Sequence, residues 1–198
     1  GELNKVVMAS GNRGKLREIA RLLADFDCTV VPQSELGVSD AEETGDTFAE
    51  NALIKARHAA TITGLPAIAE DSGLAVDALD GRPGVFSARY AGADATDDDN
   101  IDLLLQELEH VPDANRGATF HCVACFVAPG DPDALLAKGT WRGHIAHERQ
   151  GDGGFGYDPV FIDSELGIAA ANLSADDKNS RSHRGKALAE LVSLLQSR

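Results

Sequence analysis

No stretch of this chain approaches the roughly 18 consecutive apolar residues that a membrane-spanning helix requires, so no membrane partner is expected. A secretory leader is not read either. Lys5 is followed only by the short apolar run Val6 to Ala9, which reads as a first strand, and a cytoplasmic location is the expectation. Basic charge is scarce: 18 Lys and Arg stand against 32 Asp and Glu, a formal charge of −14. A general nucleic-acid binder needs a basic face that displaces counterions from phosphates, so nucleic acid is not an expected partner. A small polyanion remains possible, because a few lysines and a bound cation set the local field.

Cysteine is also sparse, with three in 198 residues. Cys122 and Cys125 have C-x-x-C spacing but sit in Thr119 to Val127, which reads as a strand, where residues three apart face opposite ways. No second pair completes a zinc site, and both are expected in the core. The chain shows no repeats, low-complexity tract or linker. Its length suits a single domain over 1–198, built on one core or as two lobes.

The pattern that is present alternates strands with helices. Lys5 to Ser10 reads as a strand, Gly11 to Lys15 as a glycine loop, and the residues from Leu16 to Leu23 as a helix. A second strand covers Cys28 to Val31, and a polar loop holds Ser39, Asp40, Glu42, Glu43 and Gly45. Thr47 with Glu50 matches a capping box opening a helix to about Thr63. The run Ala67-Ile68-Ala69-Glu70-Asp71-Ser72-Gly73 reads as a strand delivering two carboxylates into a Ser-Gly turn at a sheet edge, followed by a strand over Leu74 to Leu79. Thr96 caps a helix with an acidic first turn. Ala118 to Ala128 and Leu135 to Ile145 look like an antiparallel pair. A glycine-dense loop, Gly151 to Pro159, precedes a strand at Val160 to Ile162, and helices over Ala175 to Ser180 and Ser182 to Gln196 close the chain.

Three segments carry chemistry. Ser10-Gly11-Asn12-Arg13-Gly14-Lys15 can cradle phosphate with backbone N–H groups at a helix N-terminus, with Lys15 adding charge. It is not a Walker A loop, since two residues rather than four separate the glycines and Leu16 follows the lysine. A plain glycine turn entering a helix would read the same way. Glu70 and Asp71 could hold a divalent cation or lie in a solvated turn. Lys178, Arg181, His183, Arg184 and Lys186 could solvate a terminal helix, although His183 and Arg184 at its start oppose the helix dipole unless an anion or polar ligand is near.

Four ordered motifs, Ser-Gly-Asn-Arg-Gly-Lys at 10–15, Glu-Asp-Ser-Gly-Leu at 70–74, Gly-Gly-Phe-Gly-Tyr-Asp-Pro at 153–159 and Ser-His-Arg-Gly-Lys-Ala-Leu at 182–188, resemble the non-canonical purine nucleoside triphosphate pyrophosphatases. Gly84 to Tyr90 fits as well. These inosine/xanthosine triphosphate pyrophosphatases cleanse the nucleotide pool. The resemblance implies an α/β fold with an elongated mixed sheet, flanking helices and two lobes around a central substrate cleft. It implies a homodimer that hydrolyses ITP, dITP and XTP to the monophosphate and pyrophosphate with Mg2+. Carried over, Asp71 is the catalytic proton acceptor and a metal ligand, joined at the metal by Glu42 or Glu43. Ser10, Gly11, Asn12, Arg13, Gly14 and Lys15 hold the triphosphate, and Ser72 contacts substrate. Phe155, Gly156, Tyr157 and Asp158 line the nucleoside pocket, while Lys178, His183 and Arg184 complete the binding of base and phosphates. Family members often carry aspartate where this chain has Glu70, whose role stays open. Maf-like pyrophosphatases are the rival enzyme reading, and a nucleotide sensor the rival outside catalysis.

Overall fold

The computed structural model describes residues 5–197. Strand β1 (Lys5–Met8) runs parallel to both β2 (Thr29–Pro32) and β3 (Ala67–Val76). With β4 (Gly117–Val127), β5 (Ala134–Ile145) and β6 (Phe161–Asp163) they form one six-stranded sheet in the order β2-β1-β3-β4-β5-β6. The last pair, β5 and β6, is antiparallel, which makes the sheet mixed.

Five helices flank it. In α1 (Arg13–Leu22), Asn12 is the N-cap and its side chain accepts the Lys15 N–H at 3.0 Å. Helix α2 (Phe48–Thr63) starts at Thr47, whose hydroxyl accepts the Glu50 N–H, and ends at Gly64 with φ 69°. The expected box is displaced by one residue there, since the Glu50 carboxylate accepts from Asp46 N–H rather than from the cap. The reciprocal box forms instead at α3 (Asp97–Glu107), between Thr96 and Asp99. Helices α4 (Ala175–Arg181) and α5 (His183–Gln196) complete the set. No helix among the described residues is long and apolar enough to cross a membrane.

The chain forms two compact units. The first holds the described residues of Gly1–Asp71, Cys122–Gly139 and His183–Arg198; the second holds Ser72–His121 and Thr140–Ser182. Neither is a continuous segment, so the chain offers no single cut that frees one.

In the first unit, strand alternation sorts side chains onto two cores. Val6, Met8, Ile68, Cys122, Ala124 and Phe126 pack with Ile19 of α1 and Leu188 and Leu191 of α5. Val7, Ala9, Ala67, Ala69, Cys125 and Val127 pack with the alanine face of α2, at Ala52, Ala56, Ala59 and Ala60. Cys122 and Cys125 thus lie on opposite faces, as their spacing predicts. The second unit is built on Leu74, Val76, Leu104, Phe120, Trp141 and Phe161, where Phe161 tilts between the two other rings at 4.4 and 4.9 Å.

The expected Ser72-Gly73 turn does not exist. Strand β3 runs unbroken for 10 residues through Glu70, Asp71, Ser72 and Gly73, and it lies third in the sheet rather than at an edge. Ser72 and Gly73 stay extended within that strand despite their turn preference.

Candidate active site

The unbroken extended backbone gives the two carboxylates of β3 different surroundings. Following Ile68, Glu70 faces α1 and α5; following Ala69, Asp71 faces α2. Both are buried, at 1% and 5% exposure.

On its side, Glu70 meets Lys15 Nζ at 3.4 Å and Arg184 Nε at 3.3 Å, both at Oε1, while the Cys122 thiol donates to Oε2 at 3.6 Å. Burial pushes its pKa up, but Arg184, Lys15 and Lys55 outweigh burial and hold it well below the usual carboxylate range. Arg184 is also bound by Glu18 of α1 at 3.2 Å. The expectation that Arg184 helps to bind base and phosphates therefore meets a guanidinium whose Nε and Nη1 are engaged by Glu70 and Glu18.

On the other face, Lys55 of α2 bridges Glu43 Oε1 at 2.8 Å and Asp71 Oδ1 at 3.5 Å. Asp71 Oδ2 is buried with no hydrogen-bond partner among the described residues. The Asp71 pKa is raised to about 6, by burial first and then by Glu43 and Glu70, against the pull of Lys55 and Lys15. A carboxyl poised near neutrality with an unoccupied oxygen can accept a proton or a cation. Between the two acids that sequence left open, Glu43 shares Lys55 with Asp71, whereas Glu42 is exposed to solvent.

The loop before α1 is open. Ser10 is buried with its hydroxyl accepting the Asn12 N–H at 3.2 Å, while Gly11, Asn12 and Arg13 are exposed and Gly14 is buried. Gly11 lies so close to the Asp40 carboxylate that a Cβ would stand 2.8 Å from its oxygen, and Asp40 is held by Gln33 Nε2 at 2.7 Å.

The second unit gathers the remaining candidates. Asp158 Oδ2 accepts the Phe155 N–H at 3.0 Å and pairs with Lys178 Nζ, which sits 4.8 Å from the Phe155 ring centre. Gly154, at φ 69°, lets the loop close over that carboxylate, where a side chain would collide. Gly156 N–H donates to Asp97 at 2.9 Å, and the buried Tyr157 hydroxyl donates to Ser87 O at 2.6 Å. Tyr157 is therefore a loop anchor, and Phe155, half-buried with Lys178 on one face, is the side chain shaped for a planar ligand. Ser72 is half-buried and begins this unit. His183, at the start of α5 in the first unit, is buried at 4% exposure.

Sequence reasoning missed Lys55 and Glu18. Each is a charged residue next to the apolar face of its helix: Lys55 beside Ala52 and Ala56, Glu18 beside Ile19. A charge bordering a buried stripe was the available signal.

A metal fits Asp71 and Glu43 by donor chemistry. Asp71 Oδ2 is an oxygen donor without a partner. No group of three or more His, Cys, Asp or Glu that could hold a metal occurs among the described residues. Mg2+ takes oxygen ligands and uses one or two carboxylates together with substrate phosphates rather than an all-protein cage.

A sequence profile of the Ham1 family matches residues 6–194. A dITP/XTP pyrophosphatase of Pectobacterium atrosepticum is 57% identical over 98% of this chain and 100% of its own length. One from Escherichia coli O157:H7 is 55% identical with the same coverage. Among solved structures, a HAM1 protein from Coxiella burnetii matches with a TM-score of 0.89 at 49% identity, over 98% of this chain and 100% of that one. The Staphylococcus aureus Ham1 protein matches at 0.86 and 40%, over 98% and 99%.

Proposed function

This chain belongs to the Ham1 family, and we propose that it hydrolyses the non-canonical purine triphosphates dITP, XTP and ITP to the monophosphate and pyrophosphate with Mg2+. The observation that carries the reading is Asp71: a buried carboxylate with one unpartnered oxygen, raised to about 6, beside Lys55 and Glu43.

In the reaction, water attacks the α-phosphorus, the bond to the bridging oxygen breaks, and pyrophosphate leaves with that oxygen. Asp71 accepts the proton that the water loses. Lys15 neutralises charge on the phosphates, and the loop from Ser10 to Gly14 offers backbone N–H groups to their oxygens. Lys55 keeps Asp71 and Glu43 from repelling each other and sets how basic Asp71 is. Mg2+, held by Asp71 and Glu43, supplies charge for the leaving pyrophosphate when it is bound. An Asp71 engaged by metal is a weaker base, so its two duties compete.

Phe155 stacks on the purine, with Lys178 fixing the ring from its other face. Hypoxanthine and xanthine carry a 6-oxo acceptor where adenine has an amino donor, so an N–H aimed at position 6 leaves adenine unpaired. A single unmatched buried group of that kind costs about 1–3 kcal/mol. Ser72 and His183 complete the substrate side. The same reading makes the protein a cytoplasmic homodimer, which sedimentation tests.

The functional test is a panel of dITP, XTP, ITP, GTP, ATP and dTTP with Mg2+, followed by pyrophosphate release. Release from the first three, lost in Asp71→Asn, supports the reading. Preference for dTTP, or binding without turnover, contradicts it.

A further inference from the structure

We infer that Glu70 is a positioning residue, whose carboxylate holds Lys15 and Arg184 and is itself oriented by the Cys122 thiol, and that it binds neither metal nor the attacking water. This rests on the phosphate role proposed for Lys15.

Strand parity is the first ground. Successive residues of an extended strand point to opposite sides of a sheet. Asp71 lies toward α2 with Lys55 and Glu43, while Glu70 lies toward α1 and α5 with Lys15, Glu18 and Arg184. Adjacency in sequence therefore gives the two acids different ion-pair partners, although Lys15 and Lys55 each act on both carboxylates.

The second ground is that Glu70 has both oxygens engaged by the protein. Oε1 lies 3.4 Å from Lys15 Nζ and 3.3 Å from Arg184 Nε, Oε2 takes the Cys122 thiol at 3.6 Å, and the side chain has 0% exposure. Mg2+ sits about 2.0–2.1 Å from its ligand oxygens and dehydrates reluctantly, so it would have to displace these donors in a dry site. Asp71 Oδ2 presents no such obstacle.

The third ground is where the network ends. Arg184 is pinned between Glu70 and Glu18 with 3% of its side chain exposed, whereas Lys15 keeps 18%. The buried part is fixed at both ends, and the partly exposed member is Lys15, the side chain assigned to phosphate. Cys122, which sequence reads as a core residue, turns Oε1 toward both cations by donating to Oε2.

The test compares the whole protein with Glu70→Gln, Glu70→Asp and Asp71→Asn. Mn2+ binding with inorganic tripolyphosphate, read by electron paramagnetic resonance, needs no turnover. Glu70→Gln removes only a through-space charge and is expected to weaken Mn2+ by less than roughly fivefold, against a loss of roughly 50-fold or more in Asp71→Asn. With dITP, kcat of Glu70→Gln falls roughly 10- to 100-fold as Lys15 loses its placement, KM stays near wild type, and Glu70→Asp recovers most of the rate.

Mn2+ loss in Glu70→Gln equal to that in Asp71→Asn makes Glu70 a ligand and overturns the inference. So does an unchanged kcat in Glu70→Gln, or a Glu70→Asp as slow as Glu70→Gln. Should Glu70→Gln fail to fold, Cys122→Val is expected to lower kcat without moving Mn2+ affinity, with Cys122→Ser restoring it; no change in Cys122→Val then refutes the arrangement. A wild type that releases no pyrophosphate from dITP refutes the functional reading instead, while the Mn2+ comparison still decides what Glu70 is.

Discussion

Replacing Asp71 by Asn should make the protein inactive and more stable at once. The carboxyl is raised from its ordinary value to about 6, first by burial and then by Glu43 and Glu70, against the pull of Lys55 and Lys15. A group harder to ionise in the folded chain than in the unfolded one destabilises the fold once pH exceeds both values. A shift of about two pH units at about 1.36 kcal/mol each sets a ceiling of about 3 kcal/mol. For a chain of this size each kcal/mol moves Tm by about 2–4 °C, so the ceiling is about 6–12 °C. The pH dependence carries the sign. Below about pH 4 the carboxyl is protonated in both states and Asn confers nothing. Between about pH 4 and 6 the folded state binds more protons than the unfolded one, wild-type stability falls, and the advantage of Asn grows to its plateau above pH 6. Calorimetry of both proteins without metal, from pH 4 to 8, measures this. An Asp71→Asn variant that is less stable at pH 8, or equally stabilised at pH 4, refutes the assignment of Asp71 as a strained, uncompensated carboxylate.

Lys55 is the strongest influence lowering the Asp71 pKa, so Lys55→Met should move the acid limb of kcat/KM for dITP to higher pH; an unmoved limb separates Lys55 from the base. In the wild type that limb should lie at or below about pH 6, with bound metal drawing it lower. Glu70→Gln leaves Arg184 buried with one carboxylate fewer and should cost about 3–5 kcal/mol in urea denaturation at pH 7. The sign is opposite to that of Asp71: the depressed Glu70 pKa contributes stability that is present above the unfolded value near about 4.3 and is lost as pH falls toward the folded one, so the deficit of Glu70→Gln should shrink in acid. Phe155→Ala removes a stacking face worth about 1–3 kcal/mol and should raise KM for dITP by roughly 5- to 150-fold without altering tripolyphosphate affinity by calorimetry; equal losses in both would remove Phe155 from the base.

The order of strands and helices was legible from hydrophobic period and caps, and the loop from Ser10 to Lys15, Asp71 and the Phe155 loop stood out as motifs. What failed is instructive at Ser72-Gly73. Local turn preference suggested a break, but β3 runs through it. Reading a turn there hid the alternation that sends Glu70 and Asp71 to opposite faces, although the parity was written in Ile68 and Ala69. The choice between Glu42 and Glu43 had no such pattern, because both lie in a loop without a period; only the position of Lys55 separates them. Lys55 and Glu18 escaped because a single charge in an amphipathic helix usually belongs to the solvated side. Their partners come from segments distant in the chain.

Hydrolysis of dITP in 18O-labelled water, followed by 31P NMR and mass spectrometry of both products, tests the central claim most directly. Attack at the α-phosphorus with Asp71 as proton acceptor predicts one 18O in the monophosphate and none in the pyrophosphate, with no turnover in Asp71→Asn. Label in the pyrophosphate, or orthophosphate released from the γ position, contradicts the account.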